Sequence, residues 1–171
     1  MVQARSIITP EMRKALRIGE EAGTYTYEVE PSWIRRFMQG VGDPNPLWSD
    51  EAHAKQHGPF EAWVAPPTFY IVMDPVENKE LKLQDFLEDL PYKRTMQANA
   101  FNEVEYFQPI KAGDVITVTT RYSEVIEKEG RVGHLVFPVR ENVYRNQRGE
   151  LVAKSRCSHV FGYDLSPGKE G

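Results

Sequence analysis

Apolar positions change their period once along this chain, and the change divides it. In the first half they recur at helical spacing. Thr9-Pro10-Glu11 sets a capping hydroxyl, a first-turn proline and an acid beside the positive helix end, so a helix is predicted from here to about Gly19 or Gly23. Tyr25 to Glu30 alternates as a strand does. Pro31-Ser32 opens a second helix with Trp33, Ile34, Phe37, Met38 and Val41 on one face, and Gly42 is suited to end it. Ser49 is placed to cap a third, short helix, with Asp50 and Glu51 in its first turn and Gly58 past its end. Thr68 to Met73 is apolar on every side, which fits either a buried helix or a buried strand. Leu83, Phe86, Leu87 and Leu90 form a further amphipathic segment that Pro91 stops.

From Asn99 the period becomes two. Val104 and Tyr106 share one face of a strand ending at Pro109, and Lys111-Ala112-Gly113-Asp114 turns the chain. Val115 to Val125 is rich in Val, Ile, Thr and Tyr. Glu129-Gly130-Arg131 marks a hairpin, Leu135, Phe137, Val139 and Val143 alternate along the next strand, and Asn146-Gln147-Arg148-Gly149 leads into a last strand from Leu151 to Tyr163. Three long strands joined by short turns form an antiparallel meander. The fold class is therefore α+β, a single domain whose sheet wraps a central apolar helix, with Thr68 to Met73 the candidate. The expected divisions are an N-terminal helical segment at 1–22, the main domain at 23–164 and a flexible tail at 165–171.

Composition narrows the function. At 171 residues the chain supports one good core. A net charge of -4 argues against nucleic acid as the main partner. No apolar run is long enough to span a membrane. The first sixteen residues carry Arg5, Glu11, Arg13 and Lys14 and no apolar stretch of the signal-peptide kind. Cys157 is the single cysteine, so no internal disulfide forms, and a reducing cytoplasmic setting is expected.

The candidate chemistry lies in Gly42-Asp43-Pro44-Asn45-Pro46-Leu47-Trp48-Ser49-Asp50-Glu51-Ala52-His53-Ala54. This run resembles the D-x-N-P-x-H-x-D-x-x-x-A hydratase motif of the MaoC-like hot-dog family. Two further stretches strengthen the resemblance and point to the FAS1-like dehydratase branch: Val64-Ala65-Pro66-Pro67-Thr68-Phe69, and Pro109-Ile110-Lys111-Ala112-Gly113-Asp114 with Arg145 to Val152. The likeness covers most of the chain from about Gly23 onward and implies a hot-dog fold. The implied chemistry is reversible hydration of a 2-enoyl thioester carried on coenzyme A or acyl carrier protein, with no cofactor and no metal.

That chemistry needs an acid–base pair and a donor for the thioester oxygen. Family members take the pair from the motif's Asp and His, and the donor from a backbone N–H at the start of the central helix. Asp43 matches the carboxylate, and Trp48 stands where the histidine belongs. An indole offers only an N–H donor and no proton shuttle at neutral pH. Pro66-Pro67 replaces the usual His-Gly, and proline has no N–H, leaving that of Thr68 as the nearest donor. Losing an oxyanion donor costs roughly a hundred- to a thousandfold. Losing the base costs on the order of a hundred- to ten-thousandfold.

The resemblance extends to non-catalytic subunits of heteromeric 3-hydroxyacyl dehydratases, in which one hot-dog subunit holds the acyl chain and its partner carries Asp and His. The favoured reading is such a substrate-holding subunit. Trp48, Val64, Ala65, Pro66, Pro67, Thr68 and Phe69 are the candidate acyl-binding residues. Trp33 and Tyr70 are further apolar candidates, although Phe69 and Tyr70 equally suit the core. Asp43 is either a residual catalytic acid or a turn former, and Asn45 supports the loop. Two rivals remain: a self-sufficient homodimeric hydratase using Asp43, and an acyl-CoA-binding regulator without turnover. A hot-dog thioesterase fits the D-x-N-P loop less well.

His53 and His57 are four apart, with Asp50 and Glu61 near in sequence, but a charged surface helix explains the pair better than a metal. His134, just after a turn, is expected to be solvated. His159 faces either the core or the groove. Lys93 and Arg94 are candidates for coenzyme phosphates at the groove mouth, with a solvated loop as the simpler reading.

Overall fold

The computed structural model describes residues 6–75, 87–88 and 90–166. The first helix, α1 (Pro10–Ala15), is capped by the Thr9 hydroxyl, which accepts from the Met12 N–H. It stops well short of Gly19 because Arg17 and Gly19 adopt positive φ of 50° and 86°. Strand β1 (Gly23–Glu28) follows, then α2 (Pro31–Val41). Ile34 and Met38 of α2 are buried, and Gly42 ends it in the left-handed region with its N–H on the Met38 carbonyl.

Two short helices replace the single one expected after Gly42. Asn45 caps α3 (Pro46–Ser49) and Asp50 caps α4 (Glu51–His57). Ser49 is not the cap, because its hydroxyl donates to the Asn45 carbonyl. Asp50 takes the role from an extended backbone, its carboxylate accepting the His53 N–H.

Pro67–Met73 is a 3-10 helix. Its three-residue period buries Phe69, Tyr70 and Met73 and leaves Ile71 and Val72 exposed, so the all-round apolar run is covered on one side only. Leu83 and Phe86 of the expected amphipathic segment lie outside the described residues, as do 167–171 of the expected tail; Leu87 is buried.

Four long strands follow: β2 (Lys93–Tyr106), β3 (Val115–Gly130), β4 (Gly133–Arg145) and β5 (Leu151–Asp164). They form one antiparallel sheet in the order β1-β3-β4-β5-β2. Strand β2 begins six residues before Asn99, directly after Pro91, with Lys93 opposite Asp164.

Of the four apolar positions expected to face inward on β4, Val139 is fully buried, whereas Leu135, Phe137 and Val143 are half-buried; His134, Val136, Asn142 and Tyr144 point inward as well. His134 is thus fully enclosed rather than solvated.

The interior has two clusters. The first gathers Ile34, Met38, Trp63, Phe69, Tyr70, Met73, Ile116, Val118 and Tyr144 where α2 and the 3-10 helix lie on the sheet. The rings of Phe37 and Phe69 meet edge to face at 5.5 Å. The second gathers Ile7, Ile8, Leu16, Leu87, Val125, Val136, Phe161 and Tyr163.

A buried polar group links the 3-10 helix to the sheet beneath it. Asp74, just past that helix, receives two bonds of 2.6 Å from the Arg140 guanidinium and one of 3.1 Å from Asn142. Asn142 also donates to the Ser155 hydroxyl at 3.0 Å. Burial opposes charge on Arg140, but Asp74, together with Cys157 and Tyr122, outweighs it and holds its pKa above the usual range. The anchored guanidinium also donates to the Pro75 carbonyl, so it fixes where the helical turn leaves the sheet.

Candidate active-site groove

Two extended stretches, 63–66 and 106–111, run side by side and form the walls of a groove. Backbone bonds tie them: Ala65 N–H to the Ile110 carbonyl at 2.8 Å and Ala112 N–H to the Trp63 carbonyl at 2.9 Å. The Tyr106 hydroxyl donates to the Pro67 carbonyl at 2.6 Å, fixing the start of the 3-10 helix against the end of β2. The buried Trp63 indole donates to the Trp48 carbonyl at 2.7 Å and so sets the motif loop against the same wall.

The resulting cavity of about 320 Å³ is lined by Trp48, Phe60, Val64 to Pro67, and Tyr106 to Ile110. No lining residue carries a charge. That size and apolar character fall in the range of small-molecule sites. Phe60, Tyr106 and Phe107 each keep over 40% of their surface exposed, so one side of the groove lies open.

Five of the seven expected acyl-binding residues therefore share one surface: Trp48, Val64, Ala65, Pro66 and Pro67. Thr68 is exposed and is not among the lining residues, and Phe69 is fully enclosed in the first cluster. Tyr70 also belongs to that cluster, and Trp33 packs half-buried against it. Phe60 and the stretch Tyr106 to Ile110 were not expected in the site. Their signal was faint, because Pro109 reads simply as the end of a strand.

Asp43 is exposed, and its carboxylate accepts the Asn45 N–H at 2.9 Å. Asn45 in turn accepts the Leu47 N–H at 3.0 Å. The D-x-N-P stretch is thus two successive side-chain-to-backbone turns. Among the described residues, no imidazole hydrogen-bonds to Asp43. Pro66 is extended before the 3-10 helix, Pro67 offers no N–H, and the Phe69 N–H is used by the Pro66 carbonyl. These positions hold no preformed pair of donors for a thioester oxygen.

The other candidates lie elsewhere. The rings of His53 and His57 on α4 meet at a 45° tilt with centroids 4.7 Å apart, and no cluster of three metal-ligating side chains occurs among the described residues. His159 is exposed on β5. Lys93 and Arg94 open β2, whereas the groove sits at its Tyr106 end. Thirteen steps of strand separate Lys93 from Tyr106, roughly 40 Å, so neither cation reaches the groove of its own chain. Arg94 lies 3.9 Å from Glu88 instead.

An antiparallel sheet curved over a short central helix, with an apolar groove beside a D-x-N-P loop, defines a MaoC-like hot-dog domain. The chain belongs to the FAS1-like dehydratase family: the family's dehydratase-domain model matches residues 17–155. Among its relatives is a UPF0336 protein of Thermobifida fusca, 35% identical over 99 residues, covering 58% of this chain and 62% of that protein. The probable enoyl-CoA hydratase alpha subunit of Thermomonospora curvata is 27% identical over 140 residues, 75% of this chain and 43% of that one. Among solved structures, a chain of the ChsH1–ChsH2 complex from Mycobacterium tuberculosis superposes with a TM-score of 0.71 at 18% identity, covering 90% of this chain and 94% of its own. No helix among the described residues is long and apolar enough to cross a membrane.

Proposed function

We propose that this chain is the acyl-holding subunit of an enoyl-thioester hydratase or 3-hydroxyacyl dehydratase, paired with a hot-dog partner that supplies the histidine. The observation that carries this reading is the groove itself. It offers an uncharged, aromatic- and proline-walled surface beside the motif loop, yet no imidazole bonds to Asp43. Such a surface suits an acyl tail on coenzyme A or acyl carrier protein and lacks the means to move a proton.

The need for a partner is supported by β2. Among the described residues it pairs with β5 alone, and its fourteen residues are mostly exposed. A long free edge is a template for another strand. The related proteins point the same way, one being described as an alpha subunit and another as a member of a two-protein complex.

The test is direct. Purified alone and given 2-enoyl-CoAs, the chain should leave the absorbance of the conjugated thioester unchanged while still binding the ligand. Assembled with a hot-dog chain that retains the motif histidine, it should raise turnover of long substrates. Robust hydration by the isolated chain would overturn the proposal. Tight acyl-CoA binding without turnover beside any such partner would instead favour a sensor.

A further inference from the structure

At the end of the sheet that carries the second cluster, His134 sits between two carboxylates. Its Nε2 lies 2.9 Å from Glu127 and its Nδ1 lies 2.9 Å from Glu129, with no exposed ring surface. A neutral imidazole has one N–H and would turn a lone pair toward the other carboxylate. Only the imidazolium donates on both sides.

Glu127 does more than face this ring. It accepts the Ser6 hydroxyl at 2.5 Å, the Ile7 N–H at 2.8 Å and the Arg13 guanidinium at 2.9 Å. Arg13 also donates to the Val125 carbonyl. One carboxylate therefore joins the β3–β4 hairpin to the segment before α1 and to α1 itself. That segment and α1's C-cap supply Ile7, Ile8 and Leu16 to the second cluster.

We propose that His134, Glu127 and Glu129 form a proton-controlled clasp that holds residues 6–16 against the sheet and releases them when His134 becomes neutral. The charged groups around the ring fit this role. From β3 come the two glutamates, and from α1 comes Arg13, which balances one of them. Across on β5 stands Tyr163, whose hydroxyl is used by the Leu87 carbonyl. Lys128 lies over the Phe137 ring, on the outer face. With the imidazolium present, two carboxylates meet two cations. Without it one ring N–H serves two carboxylates, so Glu127 and Glu129 repel and one of them faces a ring lone pair, while Glu127 still holds three N-terminal donors.

The titration runs in the matching direction. Burial would depress His134, but the bonds to Glu129 and Glu127 outweigh it and raise the pKa. Burial would raise Glu127, but Ser6, Ile7 and His134 hold it below the usual carboxylate value. The raised His134 contributes fully below its unfolded value and is lost as pH climbs through the folded one. The lowered Glu127 contributes above its unfolded value and is lost as pH falls through the folded one. The clasp is closed between those limits and opens on the alkaline side.

Amide hydrogen exchange on the full chain, corrected for the intrinsic effect of pH, tests this alongside NMR titration of the His134 ring. As the ring loses its proton, exchange across residues 7–16 should rise about tenfold or more, with β3 to β5 still protected; ΔG of local opening sets that ratio. His134→Gln should make exchange there independent of pH across the same window. Should that variant not fold, Glu129→Gln removes the more exposed carboxylate and should move the opening midpoint down by about one pH unit. The clasp is overturned if the ring titrates and residues 7–16 stay protected, if they open only together with the sheet, or if Glu129→Gln leaves the midpoint in place.

Discussion

Asp43 and His134 are an acid and an imidazole housed in opposite surroundings. Asp43 stands exposed on a loop, bonded only to the backbone two residues on. His134 is enclosed and bonded to two carboxylates. In this family an acid and a histidine brought together make chemistry. Among the described residues no imidazole bonds to Asp43, and a histidine outside the groove lining is bonded to two acids. The same residue types hold a loop at one place and a terminal segment at another. Motif position alone does not make a catalytic pair; the partner within hydrogen-bond reach does.

The enclosed half should show the largest effect. His134→Ala empties an enclosed site and leaves Glu127 with Arg13 as its remaining cation, a loss of about 2–3 kcal/mol. Urea denaturation at pH 6 should show that loss. The wild-type protein should become less stable as pH rises through the raised His134 value, and His134→Ala should flatten that slope. Arg140→Leu tests a second pair, because it leaves the Asp74 carboxylate under the 3-10 helix with Asn142 as its remaining donor and no cation; a loss of similar size is expected. A small cost for either would mean that water reaches these groups freely.

The groove should respond in binding rather than in stability. Trp48→Ala removes a half-buried ring from the wall and should weaken acyl-CoA binding by about tenfold, since burying that much apolar surface is worth roughly 1.5 kcal/mol or more. Titration calorimetry with short and long acyl chains would read it. An equal loss for both lengths would place Trp48 near the thioester rather than along the tail. Thr68→Ala, outside the lining, should change affinity little.

Much of this was legible from residue order, and the failures share a physical cause. The α2 face, its Gly42 end and the meander follow from local spacing and turn chemistry, which act within a few residues. The inward face of β4 did not follow, because both faces carry apolar residues. Its buried polar members are explained by their partners: Asn142 by the distant Asp74 and by Ser155, and His134 by Glu127 and Glu129 across the hairpin. The groove was half legible for the same reason. Val64 to Pro67 stood out as a motif, whereas Tyr106 to Ile110 join them through long-range backbone pairing, and Phe60, close by in sequence, belongs to no motif. Thr68 to Met73 does form the helical turn under the sheet, but as a short 3-10 helix it leaves Ile71 and Val72 uncovered where a longer buried helix would not.

The exposed half of the comparison carries the smaller effects, and they separate its two possible roles. Asn45→Ala removes the cap of α3 and should cost about 1 kcal/mol. Asp43→Asn is the sharper test. An amide oxygen can still accept the Asn45 N–H, so the turn persists and the urea midpoint should not move. If Asp43 only shapes the loop, the assembled hydratase should also keep its rate with this variant, because the acid and histidine that act both belong to the partner. A hundredfold fall in turnover at unchanged stability would show that Asp43 reaches across to the partner's histidine and completes a pair split between two chains. The assay therefore has to use the complex, since the isolated chain offers Asp43 no imidazole with which to act.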